Sequence, residues 1–124
     1  GVSWGSWVHP SVVCASSAVI SAGCVVYPYA VLHANVQLGE GVMINSQVSV
    51  AHESQVGAYN TLCPGVNVAG HCRLSEHVWV GLGANVVQGV DVAANITIGA
   101  GSTVINSLTK TGVYVGSPAR YLHA

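Results

Sequence analysis

His52 and Glu53 are adjacent and form a pair that can handle a proton. Neutral imidazole accepts a proton near pH 7. A neighbouring carboxylate can fix its tautomer and stabilise the imidazolium that forms. Such a base serves reactions in which an amine or hydroxyl attacks a carbonyl. From spacing alone, a solvated corner histidine beside an acidic residue is the plainer reading. Gly70 follows His52 by 18 residues, and His71 follows Glu53 by the same step. The segments Gly81-Leu82-Gly83-Ala84-Asn85 and Gly99-Ala100-Gly101-Ser102-Thr103 are also 18 apart. Their small residues leave backbone amides accessible along an edge, or simply satisfy tight corners. Neither has the third glycine of a dinucleotide fingerprint.

The step of 18 comes from the elements that must position these residues. Every sixth residue from Val8 to Val104 is Ile, Leu or Val, with Cys14 the one exception. A second frame runs four residues later through Val12, Ala18, Cys24, Ala30, Val36, Val42 and Val48 to Ser102, and is mostly small or β-branched. A sustained period of six fits neither a helix nor an ordinary strand array. It marks a hexapeptide β-solenoid. The first and fifth positions of each hexad point inward, the sixth faces out, and the second to fourth turn a corner. Gly39, Gly57, Gly81 and Gly99 fall in corners, where tight backbone is expected. Three hexads make one triangular coil, so residues 18 apart stack ~4.8 Å from each other. At that spacing the frame gives nearly six coils and a prism roughly 25–30 Å tall.

The sequence thus reads as one all-β domain over 1–124. Residues 1–7 are expected to cap the first coil, with Trp4 and Trp7 over the exposed edge. Coils occupy 8–109 without an insertion, so no loop should project. A tail occupies 110–124, where Pro118 ends an extended stretch and a brief helix has room to follow. The period leaves the hand of the coil open; right-handed crossovers are the general rule.

Composition narrows the partners. Charged residues are 6% of the 124 and the formal net charge is −1, against about a quarter charged in ordinary domains. This excludes electrostatic nucleic-acid binding and a polybasic membrane patch. So little charge suggests a surface partly buried in an oligomer, with Trp79 at a subunit interface. No apolar run approaches the ~18 residues of a membrane span, and no basic-then-apolar leader is seen. Cys14, Cys24 and Cys72 fall in the inward frames and read as small buried hydrophobes. Cys63 lies outside them, and the four give no zinc spacing. A reducing, cytoplasmic compartment is expected.

Longer segments carry a resemblance. These are His9-Pro10-Ser11, Ile44-Asn45, Val50-Ala51-His52-Glu53, Val78-Trp79-Val80-Gly81, Ile98-Gly99-Ala100-Gly101-Ser102 and Val115-Gly116-Ser117-Pro118-Ala119-Arg120. Within the hexad frame they resemble the left-handed β-helix acyltransferases. The closer likeness is to the branch that acetylates sialic acids and nucleotide-linked amino sugars. The resemblance spans nearly the whole chain. It implies a single-stranded left-handed parallel β-helix, a homotrimer with active sites between subunits, acetyl-coenzyme A as co-substrate without a metal, and a small sugar-like acceptor. It makes His52 the general base with Glu53 beside it, and gives the Gly70 N–H to the thioester oxygen. It lays the pantetheine arm along Gly83, Ala84, Gly101 and Ser102. Arg120, or less directly Lys110, meets the coenzyme phosphates, while Asn45 faces the acceptor. His71, stacked on Glu53 by the step of 18, has room to pair with Glu53, to contact the acceptor or simply to lie on the surface.

The sequence departs from that branch in four ways. Thr61 and Asn106 stand where a second His and a Lys are usual, and Ala51 replaces an acidic residue sometimes found there. The 124 residues also do not include the Rossmann-like part such proteins usually carry. Two other readings remain. One is a non-catalytic trimeric scaffold. The other is a zinc carbonic anhydrase on the same prism, which needs three converging histidines. His71 and His77, six apart, belong to consecutive corners.

Overall fold

A computed structural model describes residues 5–124. It is an all-β solenoid of about six turns with three parallel sheets. No helix occurs among the described residues, so none is long and apolar enough to cross a membrane. Almost every strand has two residues, the sixth of one hexad and the first of the next.

Sheet I holds β1 (Trp7–Val8), β4 (Val25–Val26), β7 (Met43–Ile44), β10 (Thr61–Leu62), β13 (Trp79–Val80), β16 (Ile96–Ile98), β18 (Gly112–Val115) and β19 (Arg120–His123). Sheet II holds β2 (Val13–Cys14), β5 (Val31–Leu32), β8 (Ser49–Val50), β11 (Asn67–Val68), β14 (Asn85–Val86) and β17 (Thr103–Val104). Sheet III holds β3 (Val19–Ile20), β6 (Gln37–Leu38), β9 (Gln55–Val56), β12 (Arg73–Leu74) and β15 (Asp91–Val92). The step of 18 is the observed register: Val50 pairs with Val68, and Leu62 with Val80.

The core is the inside of the prism. First-position side chains such as Ile20, Leu38, Leu62, Leu74 and Ile98 are fully buried, and fifth-position Ala30, Val48 and Val78 pack between them. Three fifth positions are polar, and each accepts an amide from one coil on. Ser54 Oγ accepts from Cys72 N at 3.0 Å, Asn60 Oδ1 from Val78 N at 2.7 Å, and Ser102 Oγ from Gly116 N at 3.2 Å. These three backbone donors are thereby satisfied.

Several expectations are corrected. The second-position glycines are not there for backbone conformation. A Cβ on Gly57 would stand 2.6 Å from Ser75 C, and one on Gly81 would stand 2.6 Å from Ala100 N. The missing side chain admits the next coil. Left-handed φ belongs to the fourth position instead, where Tyr29, Glu53, Tyr59 and His71 adopt it at 56–64°. Cys14 is exposed whereas Cys24 and Cys72 are buried, because Cys14 lies in the first coil at the open end of the described prism. Trp4 lies outside the described residues. Trp7 belongs to β1, half-exposed, with its ring edge-on to Tyr27 at 5.9 Å. The tail has no helix. After Pro118 the chain turns back as β19, antiparallel to β18.

Candidate active site

The three corners of the prism carry different chemistry. Within each corner the backbone is used in one pattern. The second-position N–H joins the next coil, as in Ala51 N to Val68 O (2.8 Å), and the fourth-position N–H joins the previous one, as in Glu53 N to Ala34 O (3.0 Å). The third-position carbonyl accepts from the next coil, as His52 O does from His71 N (3.0 Å). The third-position N–H has no acceptor among the described residues. Proline, which has no N–H to lose, sits at that position as Pro10, Pro28 and Pro64. On the corner between sheets II and III the third positions above His52 are Gly70, Gln88 and Asn106. Each keeps an N–H with no partner among the described residues.

His52 leaves β8 on this corner and its ring lies against Gly70. A Cβ on Gly70 would stand 2.8 Å from His52 Nε2 and 2.9 Å from Cε1. Only glycine admits the ring there. His71, one coil on, meets the His52 ring edge to face, with centroids 5.0 Å apart and planes at 87°. Glu53 is turned toward the coil before it, where Asn35 Nδ2 donates to Glu53 Oε1 at 2.7 Å. Asn35 N in turn donates to Ser17 Oγ at 2.9 Å. His71 therefore contacts His52 rather than Glu53. The structure brings together His52, Glu53, Gly70 and His71. Asn35 pairs with Glu53, and Gln88 and Asn106 continue the third-position column on the next two coils. Sequence reading passed these three over, although the step of 18 reaches Asn35 from Glu53 and the other two from Gly70.

The remaining candidates lie elsewhere on the prism. Asn45 is on the corner between sheets I and II, its Nδ2 donating to Leu62 O at 3.0 Å. Gly83 and Gly101 are exposed on that same corner. Ala84 and Ser102 point into the core, and their N–H groups donate to Gly81 O (3.1 Å) and Gly99 O (3.3 Å). Neither has a backbone N–H left for a ligand. Arg120 is exposed on β19 of sheet I, the face opposite the His52 corner. Lys110 Nζ stands over the Tyr121 ring, 4.0 Å from its centroid. His71 and His77 occupy different corners, and His77 stacks on Tyr59 at 5.3 Å. Burial pushes the thiols of Cys24, Cys63 and Cys72 above their ordinary value, which disfavours the nucleophilic thiolate.

No family model and no curated protein sequence matches the chain. Solved structures do. The acetyltransferase domain of PglB from Neisseria gonorrhoeae superposes with a TM-score of 0.93 at 31% identity, over 94% of this chain and 57% of that one. PerB from Caulobacter crescentus, solved in complex with CoA and GDP-perosamine, gives 0.93 at 30%, over 94% and 56%. WeeI from Acinetobacter baumannii gives 0.90 at 27%, over 93% and 57%. The chain thus spans little more than half the length of these relatives.

Proposed function

This chain is a hexapeptide-repeat β-helix of the acetyltransferase family, and from that premise we propose that it moves an acetyl group from acetyl-coenzyme A to an amine or hydroxyl of a small, sugar-like acceptor. One observation carries the proposal: the His52 ring is seated on Gly70, whose N–H is free. A proton acceptor and an oxyanion donor then share one spot. The acceptor amine or hydroxyl attacks the thioester carbonyl as His52 takes its proton. The carbonyl oxygen gathers charge beside the Gly70 N–H. The tetrahedral centre collapses, the carbon–sulfur bond breaks, and the leaving thiolate takes the proton back from His52. Direct transfer needs no acyl-enzyme. Above Gly70, the free N–H groups of Gln88 and Asn106 suit the amide carbonyls of a pantetheine arm.

The spread of candidate residues supports a site between copies. His52 and Gly70 are on the corner between sheets II and III, Gly83 and Gly101 on the corner between I and II, and Arg120 on sheet I. One coenzyme can touch all of them only if two prisms lie side by side, as in a homotrimer. The relatives add weight, since PerB was solved with CoA and a nucleotide sugar.

The test is His52→Ala assayed with acetyl-coenzyme A and a panel of amino and neutral sugars, following free thiol release. General-base loss is expected to cut turnover by about 10²–10⁴-fold with the fold unchanged by circular dichroism. Undiminished turnover in the variant would overturn the assignment. Failure of the intact protein to bind acetyl-coenzyme A in calorimetry would favour a non-catalytic scaffold instead.

A further inference from the structure

The outer face of sheet III carries a furrow that the His52 chemistry does not use. Two cavities of about 380 and 230 Å³ lie along it and share Arg73 and Ser75. Strand backbone and the side-chain-free Gly39 and Gly57 line the larger one. Its polar wall is the outward column Gln37, Gln55 and Arg73, which register places on successive coils, with Asp91 next.

Arg73 is the cation of this face. The other two basic residues, Lys110 and Arg120, are in the tail. Its guanidinium makes no hydrogen bond or ion pair among the described residues, not even with Asp91 in register beside it. A guanidinium offers five N–H donors in a planar fork that matches a carboxylate or phosphate. Gln55 adds a carboxamide donor on one side. Asp91 repels anions on the other, which biases a bound anion toward Gln55. The furrow also adjoins the catalytic corner. Gln55 and Arg73 follow Glu53 and His71 by two residues each. The chain takes three residue steps from His52 to Gln55 around the corner, so they stand at most about 10 Å apart, within reach of one sugar ring and its substituent.

We propose that this furrow is an anion-binding site in which Arg73, with Gln55, holds a phosphate or carboxylate of the acceptor while the acceptor's amine or hydroxyl reaches His52. The anion site stands on the furrow itself; its link to the acceptor rests on the transferase reading above. Binding is therefore tested apart from turnover. Inorganic phosphate is titrated into the intact protein while the Arg73 side-chain Nε–H resonance is followed by NMR. Saturable shifts of this signal and of the Gln55 carboxamide are expected. The Gln55 response should survive in His52→Ala and disappear in Arg73→Gln. Absence of saturable shifts in the intact protein, or the same Gln55 response in Arg73→Gln, overturns the site.

The second arm is kinetic. Glucosamine, glucosamine 1-phosphate and glucosaminuronate are compared as acceptors. Arg73→Gln is expected to raise KM about tenfold for whichever charged acceptor is used, as loss of one charge-assisted contact implies, and to leave KM for glucosamine unchanged. The phosphate and the uronate separate the two sources of the anion. Equal effects on neutral and charged acceptors overturn the acceptor assignment. So does a rise in KM confined to acetyl-coenzyme A and absent for its 3′-dephospho form, which would give the anion to the coenzyme.

Discussion

At Gly70 a histidine ring occupies the space a side chain would need. The Cβ of Gly70→Ala would meet the His52 ring at 2.8 Å, and that ring is the free end of a side chain, so it can move while the coil stays intact. We expect acetyl transfer to fall about 10²-fold through misplacement of the base, with the melting temperature within a few degrees of the parent. A thiol-release assay run beside a thermal melt checks this, and unchanged turnover would show that the seat is dispensable. The stacking of Gly70 over His52 was legible in the sequence, because the step of 18 is the register. The orientation of the rings was not. Sequence reading allowed His71 to pair with Glu53 or to face the acceptor. Instead Asn35 holds Glu53 at 2.7 Å and His71 meets His52. Register names neighbours, but rotamers follow from local packing.

Each strand of the coils is too short to stand alone and gains its stability from the coils above and below. The corners decide how closely those coils approach, and their glycines divide into two kinds. At Gly57 an added Cβ meets backbone, 2.6 Å from Ser75 C and 2.8 Å from Leu74 O, and neither atom can swing aside. At Gly83 it meets nothing within 4 Å, and only φ of +67° resists it. Gly57→Ala is expected to cost about 1–3 kcal/mol through overpacking, whereas Gly83→Ala should cost about 1 kcal/mol from left-handed backbone. Urea unfolding of the two variants would separate these, and a larger loss at Gly83 would refute the distinction. The two inward frames showed in the sequence because side chains at the first and fifth positions decide burial. The left-handed fourth position did not show, since Tyr29, Glu53 and His71 fill it as freely as glycine. Cys14 reads as inward from the frame and is nevertheless exposed. Burial at the end of a stack depends on what covers the end, not on the hexad.

Across the whole molecule, one prism separates the residues that the proposed transfer would need on a single coenzyme. Sheet I also presents Trp7 and Trp79, each about half exposed, with Met43 between their coils. Apolar aromatic surface of this kind suits contact between copies. If the site is shared, defects on different corners should complement. We expect His52→Ala and Gly101→Tyr each to lose activity alone, and trimers reassembled from both to regain part of it. Tyrosine is a tolerable block at Gly101, because Tyr29 and Tyr59 hold the same corner position with φ of 64° and 58°. Sedimentation at three times the chain mass is required alongside. A monomer, or mixtures no more active than their parts, would place the whole site on one copy.

The sequence by itself determined the solenoid, its three faces, and which residues stack on which, because a period of six locks every side chain into a fixed place on a repeating coil. It also determined that His52, Gly70 and His71 share an edge. Tertiary structure decided the rest. Among the described residues it showed which amides stay unpaired at the third position of each corner, that Ala84 and Ser102 have spent theirs, and that a furrow with an unpaired Arg73 runs beside the His52 corner. These depend on hydrogen bonds and gaps between coils 18 residues apart, and such distances have no trace in the order of residues along one coil.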